Sequence, residues 1–182
     1  THYGPSAGLP EFRRLIAEQW SRERHIPCDA DNIVVTPGAK PIIFFAMLAL
    51  LEEGDDVLYP SPGFPIYESV ANFLNARTIP LVLREQNGFD LDIRDLESKL
   101  TSRTRLLVLN SPHNPTGSVM KPETVEALAA LARRHDFWIL ADEIYAKILY
   151  EGRHLSIASL PGMAERTVVL DGFSKTYAMT GW

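Results

Sequence analysis

Leu106-Leu107-Val108-Leu109 is an apolar run with no polar alternation, and the residues behind it, Asn110-Ser111-Pro112-His113-Asn114-Pro115-Thr116-Gly117, are dense in turn formers. A strand with one wet face alternates polar and apolar side chains. A strand buried on both faces does not, and such strands belong to parallel sheets covered by helices. The run therefore reads as a buried strand and the turn formers as a tight loop at its carboxyl end, where open α/β sheets bind their ligands.

The same pattern extends in both directions. Strand-like runs at Val57-Leu58-Tyr59, Thr78–Leu83, Trp138–Ala141 and Thr167–Leu170 alternate with helical stretches predicted over 39–52, 65–75, 92–100 and 122–135. Leu9, Phe12, Leu15, Ile16, Gln19 and Trp20 keep helical spacing after Gly4, Pro5 and Gly8, which predicts an amphipathic helix over about 9–24. Ile33-Val34-Val35-Thr36 reads as a short β-branched strand. Alternation of this kind implies βα units on a largely parallel sheet. Prolines 60, 62, 65, 112 and 115 are expected in the loops that follow strands, and no repeat or Gly/Ser linker divides the chain.

With 182 residues, 46% apolar and 23% charged, the chain can bury a sizeable core and has the composition of a soluble globular protein. Its net charge of −5, with Lys and Arg scattered, leaves no basic footprint for nucleic acid. The longest apolar run, Ile42 to Leu51, is about half of the roughly 20 residues that span a bilayer, so it reads as a buried helix and no membrane segment is expected. A single cysteine, Cys28, excludes an internal disulfide, and the five histidines show no ligand spacing, so no metal site is expected. No signal peptide is visible at Thr1-His2-Tyr3-Gly4-Pro5, and a cytoplasmic location is the expectation.

Four further segments carry chemistry. Asp171-Gly172-Phe173-Ser174-Lys175-Thr176-Tyr177-Ala178-Met179-Thr180-Gly181-Trp182 follows a buried strand and opens a helical turn. A lysine there is expected to be poorly solvated; burial would favour the neutral amine, the form that condenses with a carbonyl. Taken alone, Lys175 is equally an ordinary surface lysine at a helix start. Trp138-Ile139-Leu140-Ala141-Asp142-Glu143-Ile144-Tyr145 sets an acid at the end of a buried strand, where an unpaired carboxylate is costly; capping the next turn is the plainer alternative. Thr36-Pro37-Gly38-Ala39-Lys40 leads into the apolar helix, whose first free N–H groups can form an anion site. Pro60-Ser61-Pro62-Gly63-Phe64-Pro65-Ile66-Tyr67 occupies the loop after the next strand and offers Phe64, as a ring for a ligand's face or as core filling.

Gly172-Phe173-Ser174-Lys175 followed by Tyr177-Ala178-Met179-Thr180-Gly181-Trp182 closely resembles the pyridoxal 5′-phosphate (PLP) attachment motif of class I/II, fold type I aminotransferases. The resemblance implies a three-layer α/β/α large domain with a mostly parallel central sheet. It makes Lys175 the catalytic Schiff-base lysine, whose amine shuttles the substrate Cα proton, with Ser174 beside the cofactor. Asn114 and Tyr145 would hydrogen-bond the PLP 3′-oxygen, and Asp142 would pair with the pyridine nitrogen. Gly38, Ala39 and Lys40 would form the phosphate cup through backbone groups, Phe64 would lie on the ring face, and the Tyr3 hydroxyl would reach the phosphate of a partner subunit, so a homodimer is expected.

In that family the motif continues with an arginine that grips the phosphate, and this chain stops at Trp182. Residues 1–182 are accordingly read as a PLP-binding large domain truncated at both ends, without the C-terminal small domain that carries the arginine for the substrate carboxylate. The implied reaction moves an amino group from an L-amino acid to a 2-oxo acid, 2-oxoglutarate being the usual acceptor. A PLP-dependent β-lyase or cyclopropane-forming synthase, or a non-enzymatic aminotransferase-like regulatory domain, would share these motifs. The donor amino acid is left open.

Overall fold

The computed structural model describes residues 3–181. Helix α1 (Pro10–Arg24) and helix α2 (Lys40–Leu50) precede strand β1 (Asp56–Ser61); then follow α3 (Ile66–Phe73), β2 (Arg77–Val82), α4 (Ile93–Lys99), β3 (Thr104–Asn110), α5 (Pro122–His135), β4 (Trp138–Asp142), β5 (Thr167–Leu170) and the single turn α6 (Phe173–Thr176). The five strands form one sheet in the order β2-β1-β3-β4-β5, every pair parallel.

Neighbouring residues on a strand point to opposite faces, and here both faces are apolar. Leu58, Leu107, Leu109, Ile139 and Ala141 pack beneath α4 and α5 with Leu96, Val125, Leu128 and Ala132. Val57, Tyr59, Leu106, Val108 and Leu140 pack under α2 and α3 with Ile43, Met47, Tyr67 and Val70. The result is the expected three-layer α/β/α arrangement, and it explains why Leu106–Leu109 lacks alternation. Each fully buried aliphatic side chain in these two cores contributes about 1.5–3 kcal/mol.

Helix ends follow local chemistry. Asp92 caps α4 by accepting from the Arg94 and Asp95 N–H groups. Pro122 opens α5, and Arg133, Arg134 and His135 occupy its last turn, where cations complement the helix dipole.

Four expectations change. Ile33–Thr36 is not a strand: a 3₁₀ turn capped by Asp29 covers Ala30–Asn32, and the next residues pair with no strand among those described. Only Ile33 is buried there; Val34 is 64% exposed, and the Val35 N–H bonds the Ala7 carbonyl. Pro60 lies within β1 rather than after it, two residues past the point, Leu58, where the ladder to β3 ends. The apolar helix α2 is buried on one side only, with Phe45 and Leu48 exposed. Lys175, expected to be poorly solvated, is exposed on its turn.

The strand order places that site. The chain moves from β1 outward to β2, then returns past β1 to begin β3, so the connections reverse direction between β1 and β3. The β1–β3 ladder pairs only Asp56–Leu58 with Thr104–Leu107, leaving Pro60 and Ser61 unpaired with the carboxyl half of β3. A reversal with diverging carboxyl ends is the place where open α/β sheets form a ligand crevice.

Candidate functional site

Because all five strands run the same way, the loops after β1, β3, β4 and β5 emerge on one edge, and they carry Phe64, Asn114, Asp142 and Lys175. Asp142 is the last residue of β4 and only 5% exposed. Its carboxylate accepts from the Tyr67 hydroxyl at 2.6 Å and from the Ile144 N–H at 3.2 Å. No cation pairs with it among the described residues. Burial raises its pKa above the usual carboxylate range, and the Tyr67 and Ile144 hydrogen bonds pull against that rise. The same burial, with Asp142 beside it, holds the Tyr67 phenol above its ordinary pKa, so Tyr67 remains the donor.

Tyr67 extends the cluster outward. Its ring meets Phe64 edge to face at a centroid distance of 5.9 Å, and the Lys40 ammonium lies 5.7 Å from the Phe64 centroid. The turn that presents Phe64 depends on Gly63, where an added Cβ would sit 2.2 Å from the Pro60 carbonyl oxygen. Gly38, at φ +85° with open space where a side chain would go, leads through Ala39 into α2. No side chain caps that helix start; the Gly38 and Ile42 N–H groups donate to the Thr36 and Ala39 carbonyls and Pro41 has none, which leaves the N–H groups of Ala39 and Lys40 to an anion.

On the other side, Asn110 ties two strand ends together. Its Nδ2 donates to the Asp142 carbonyl at 3.1 Å and the Pro112 carbonyl at 3.3 Å, while its Oδ1 accepts the Asn114 N–H at 2.8 Å. Asn114 is thus held by its backbone, which leaves its amide side chain out of the tie. His113, next to it, is buried with Nδ1 2.8 Å from the Thr116 hydroxyl, and burial holds its imidazole below the usual pKa, as a neutral ring.

Lys175 stands on α6, four residues beyond Asp171, with its Nζ 5.7 Å from the centroid of the Tyr145 ring. The exposed rings of Phe173 and Tyr177 stack at 5.6 Å, and Phe12 of α1 stacks on Phe173 at 5.7 Å. Lys175 itself is exposed. Ser174 is half-buried on the same turn. Tyr3 is fully exposed and is not brought to the cluster. Trp182, the last residue of the lysine motif, lies outside the described residues.

The structure therefore joins Lys40, Phe64, Asp142, Tyr145 and Lys175 along one sheet edge and leaves Tyr3 apart. It adds two residues the sequence did not single out. Tyr67 was visible only as part of a loop, because its role depends on the reach from α3 to β4. Asn110 looked like one turn former among several.

A sheet crevice with a buried uncompensated carboxylate, an uncapped helix start and a reachable primary amine defines a cofactor-binding α/β domain. The comparisons narrow this to one family. The model of aminotransferase class I and II matches residues 1–182, and the chain belongs to that family. It is 42% identical to an arginine–pyruvate transaminase of Pseudomonas aeruginosa and 41% identical to an aspartate aminotransferase of Pyrococcus abyssi, covering 100% of this chain and 46% and 47% of theirs. Among solved structures, an aromatic aminotransferase from Pyrococcus horikoshii superposes with TM-score 0.97 at 40% identity, covering 100% of this chain and 49% of that one. An aspartate aminotransferase from Thermus thermophilus with maleate gives TM-score 0.96 at 39% identity, covering 100% and 47%. The chain spans about half the length of the curated relatives it matches.

Members of this family depend on PLP, and the residues present fit that group. Asp142 is a buried carboxylate whose donors among the described residues are neutral, so its charge is open to a cationic ring nitrogen. The uncapped start of α2 suits a phosphate, and Lys175 supplies the amine. No helix of the described residues is long and apolar enough to cross a membrane.

Proposed function

We propose that the protein containing this chain is a PLP-dependent aminotransferase that moves an amino group from an L-amino acid to a 2-oxo acid, 2-oxoglutarate being the expected acceptor. The observation that carries this reading is Asp142, buried at a strand end with a hydroxyl and an amide but no cation. A carboxyl so placed either takes up a proton or is completed by a positive partner, and a ligand's cationic nitrogen would be that partner. The relatives named as transaminases support amino transfer as the reaction.

PLP, when bound, supplies an electron sink for the pair left at the substrate Cα. The chain's own residues do the rest. Lys175 would hold the cofactor through its side-chain amine and, once freed by the incoming substrate, would take the proton from the substrate Cα. Asp142 would pair with the protonated ring nitrogen, and the Tyr67 hydroxyl, donating to Asp142, would favour its ionised form. Phe64 would cover one face of the ring, Asn114 and Tyr145 would donate to the 3′-oxygen, Gly38 would let the backbone come close, and Ala39 and Lys40 would offer backbone N–H groups to the phosphate. Ser174 sits beside the lysine turn.

In this reading residues 1–182 form the large cofactor-binding domain of a longer, cytoplasmic, homodimeric protein, with Tyr3 contributed to the partner's site. The test is to supply amino acids to the whole protein with and without 2-oxoglutarate. Oxo-acid production that requires the acceptor is expected; pyruvate and ammonia released without one would overturn amino transfer.

A further inference from the structure

The reading above leaves a second buried charge cluster unused. Arg24, in the last turn of α1, is 8% exposed in its side chain, with its guanidinium 5.0 Å from the Trp20 ring centroid. One of its nitrogens donates to Glu143 Oε2 at 2.8 Å, and another donates to Asp171. Glu143, itself 3% exposed, also accepts from the Ser156 hydroxyl at 2.6 Å and lies 3.1 Å from His154 Nε2. Glu143 directly follows Asp142, and its N–H bonds the Leu170 carbonyl. Asp171 directly follows Leu170, the register partner of Asp142. Three carboxylates thus crowd two adjacent strand ends, and Arg24 is the arginine that bridges two of them.

We propose that Arg24 is a positioning residue: by clamping Glu143 and Asp171 together it fixes the ends of β4 and β5 and balances their charge, so that Asp142 stays ionised for a cationic ligand. This rests on the reading of Asp142 above. The groups facing Asp142 are Tyr67 from α3, Glu143 and Tyr145 from its own loop, and Asp171 from the end of β5. Those facing Glu143 are Arg24, His154 and Ser156. If Arg24 is removed, Glu143 keeps only His154 and Ser156 and Asp171 keeps no cation among the described residues, and the readiest relief is proton uptake by the cluster. Pressed by two carboxylates that Arg24 no longer balances, Asp142 itself would take up a proton more readily, and that would weaken its hold on a protonated ring nitrogen.

The experiment compares Arg24→Met, Arg24→Lys and Arg24→Met combined with Glu143→Gln in the whole protein, unfolded by urea without cofactor at pH 5.5 and pH 8. Arg24→Met is expected to raise the unfolding constant far more at pH 8 than at pH 5.5, the gap differing by about tenfold or more, one pKa unit's worth. Glu143→Gln should recover much of the loss at pH 8, and Arg24→Lys should retain most of the stability. Should Arg24→Met alone not fold at pH 8, folding at pH 5.5 or in the Glu143→Gln background is the expected result. A loss equal at both pH values, or one that Glu143→Gln does not relieve, makes Arg24 a packing residue and overturns the proposal. In a parallel titration with PLP, the acid limb of binding should move up by about one pH unit in Arg24→Met; affinity weakened equally at every pH overturns the link to Asp142. A wild-type protein that takes up no PLP refutes the cofactor reading instead, while the urea series still judges the clamp.

Discussion

Replacing Tyr67 with Phe keeps a ring against Phe64 and removes one hydroxyl, the one that donates to Asp142 at 2.6 Å in a buried site. A hydrogen bond to an ionised acceptor contributes about 1.5–3 kcal/mol, and a neutral pair about 0.5–1.5 kcal/mol. The variant should therefore lose about 2 kcal/mol when Asp142 is ionised and about 1 kcal/mol when it is protonated, a rise of about one pKa unit at Asp142. The sign follows from proton linkage. Burial already holds Asp142 above its unfolded pKa, so the folded state binds the proton more tightly, and stability falls as pH climbs from the unfolded to the folded pKa. In the Phe variant that fall is larger and continues to higher pH. Urea unfolding of the cofactor-free protein between pH 4.5 and 8.5 should show a gap between wild type and variant that widens with pH by about 1 kcal/mol. A gap that is flat, or widest in acid, would refute the assignment of Tyr67 as the group that favours ionised Asp142.

Three other substitutions probe the frame of the site. Asn110→Ala strands the Asn114 N–H and loosens the Pro112 and Asp142 carbonyls, and should cost about 2–3 kcal/mol in chemical denaturation; a loss under about 1 kcal/mol would show that the Asn114 loop does not depend on it. Gly63→Ala drives a Cβ onto the Pro60 carbonyl and should cost about 2–4 kcal/mol in the same assay, together with weaker PLP binding; wild-type stability would contradict the crowding described. Asp142→Asn in the whole protein should retain PLP and lose turnover by about 10²-fold or more, and normal turnover would exclude the pairing with the ring nitrogen.

The layering of the fold was legible in the sequence because burial erases polar alternation, as it does in Leu106–Leu109; Val168-Val169-Leu170 shows the same lack of alternation, but it lies on the edge strand and only Leu170 is buried. Ile33–Thr36 misled because β-branched residues favour extended backbone without guaranteeing a neighbour; here the residues are extended and unpaired. Motif residues at strand ends were found because each is fixed by local sequence. Tyr67, Asn110 and Arg24 were not, because each acts across the fold: from α3 to β4, from β3 to β4, and from α1 to the ends of β4 and β5. The exposure of Lys175 was not legible either, since the burial of a side chain on a turn depends on what packs over that turn rather than on the strand before it.

The central claim is that Lys175 carries the cofactor. Borohydride reduction of the whole protein after incubation with PLP, followed by peptide mapping, should leave a phosphopyridoxyl group on the peptide containing Lys175 and none in Lys175→Ala. Stoichiometric labelling at Lys40 or Lys147, or undiminished labelling and imine absorbance in Lys175→Ala, would contradict it.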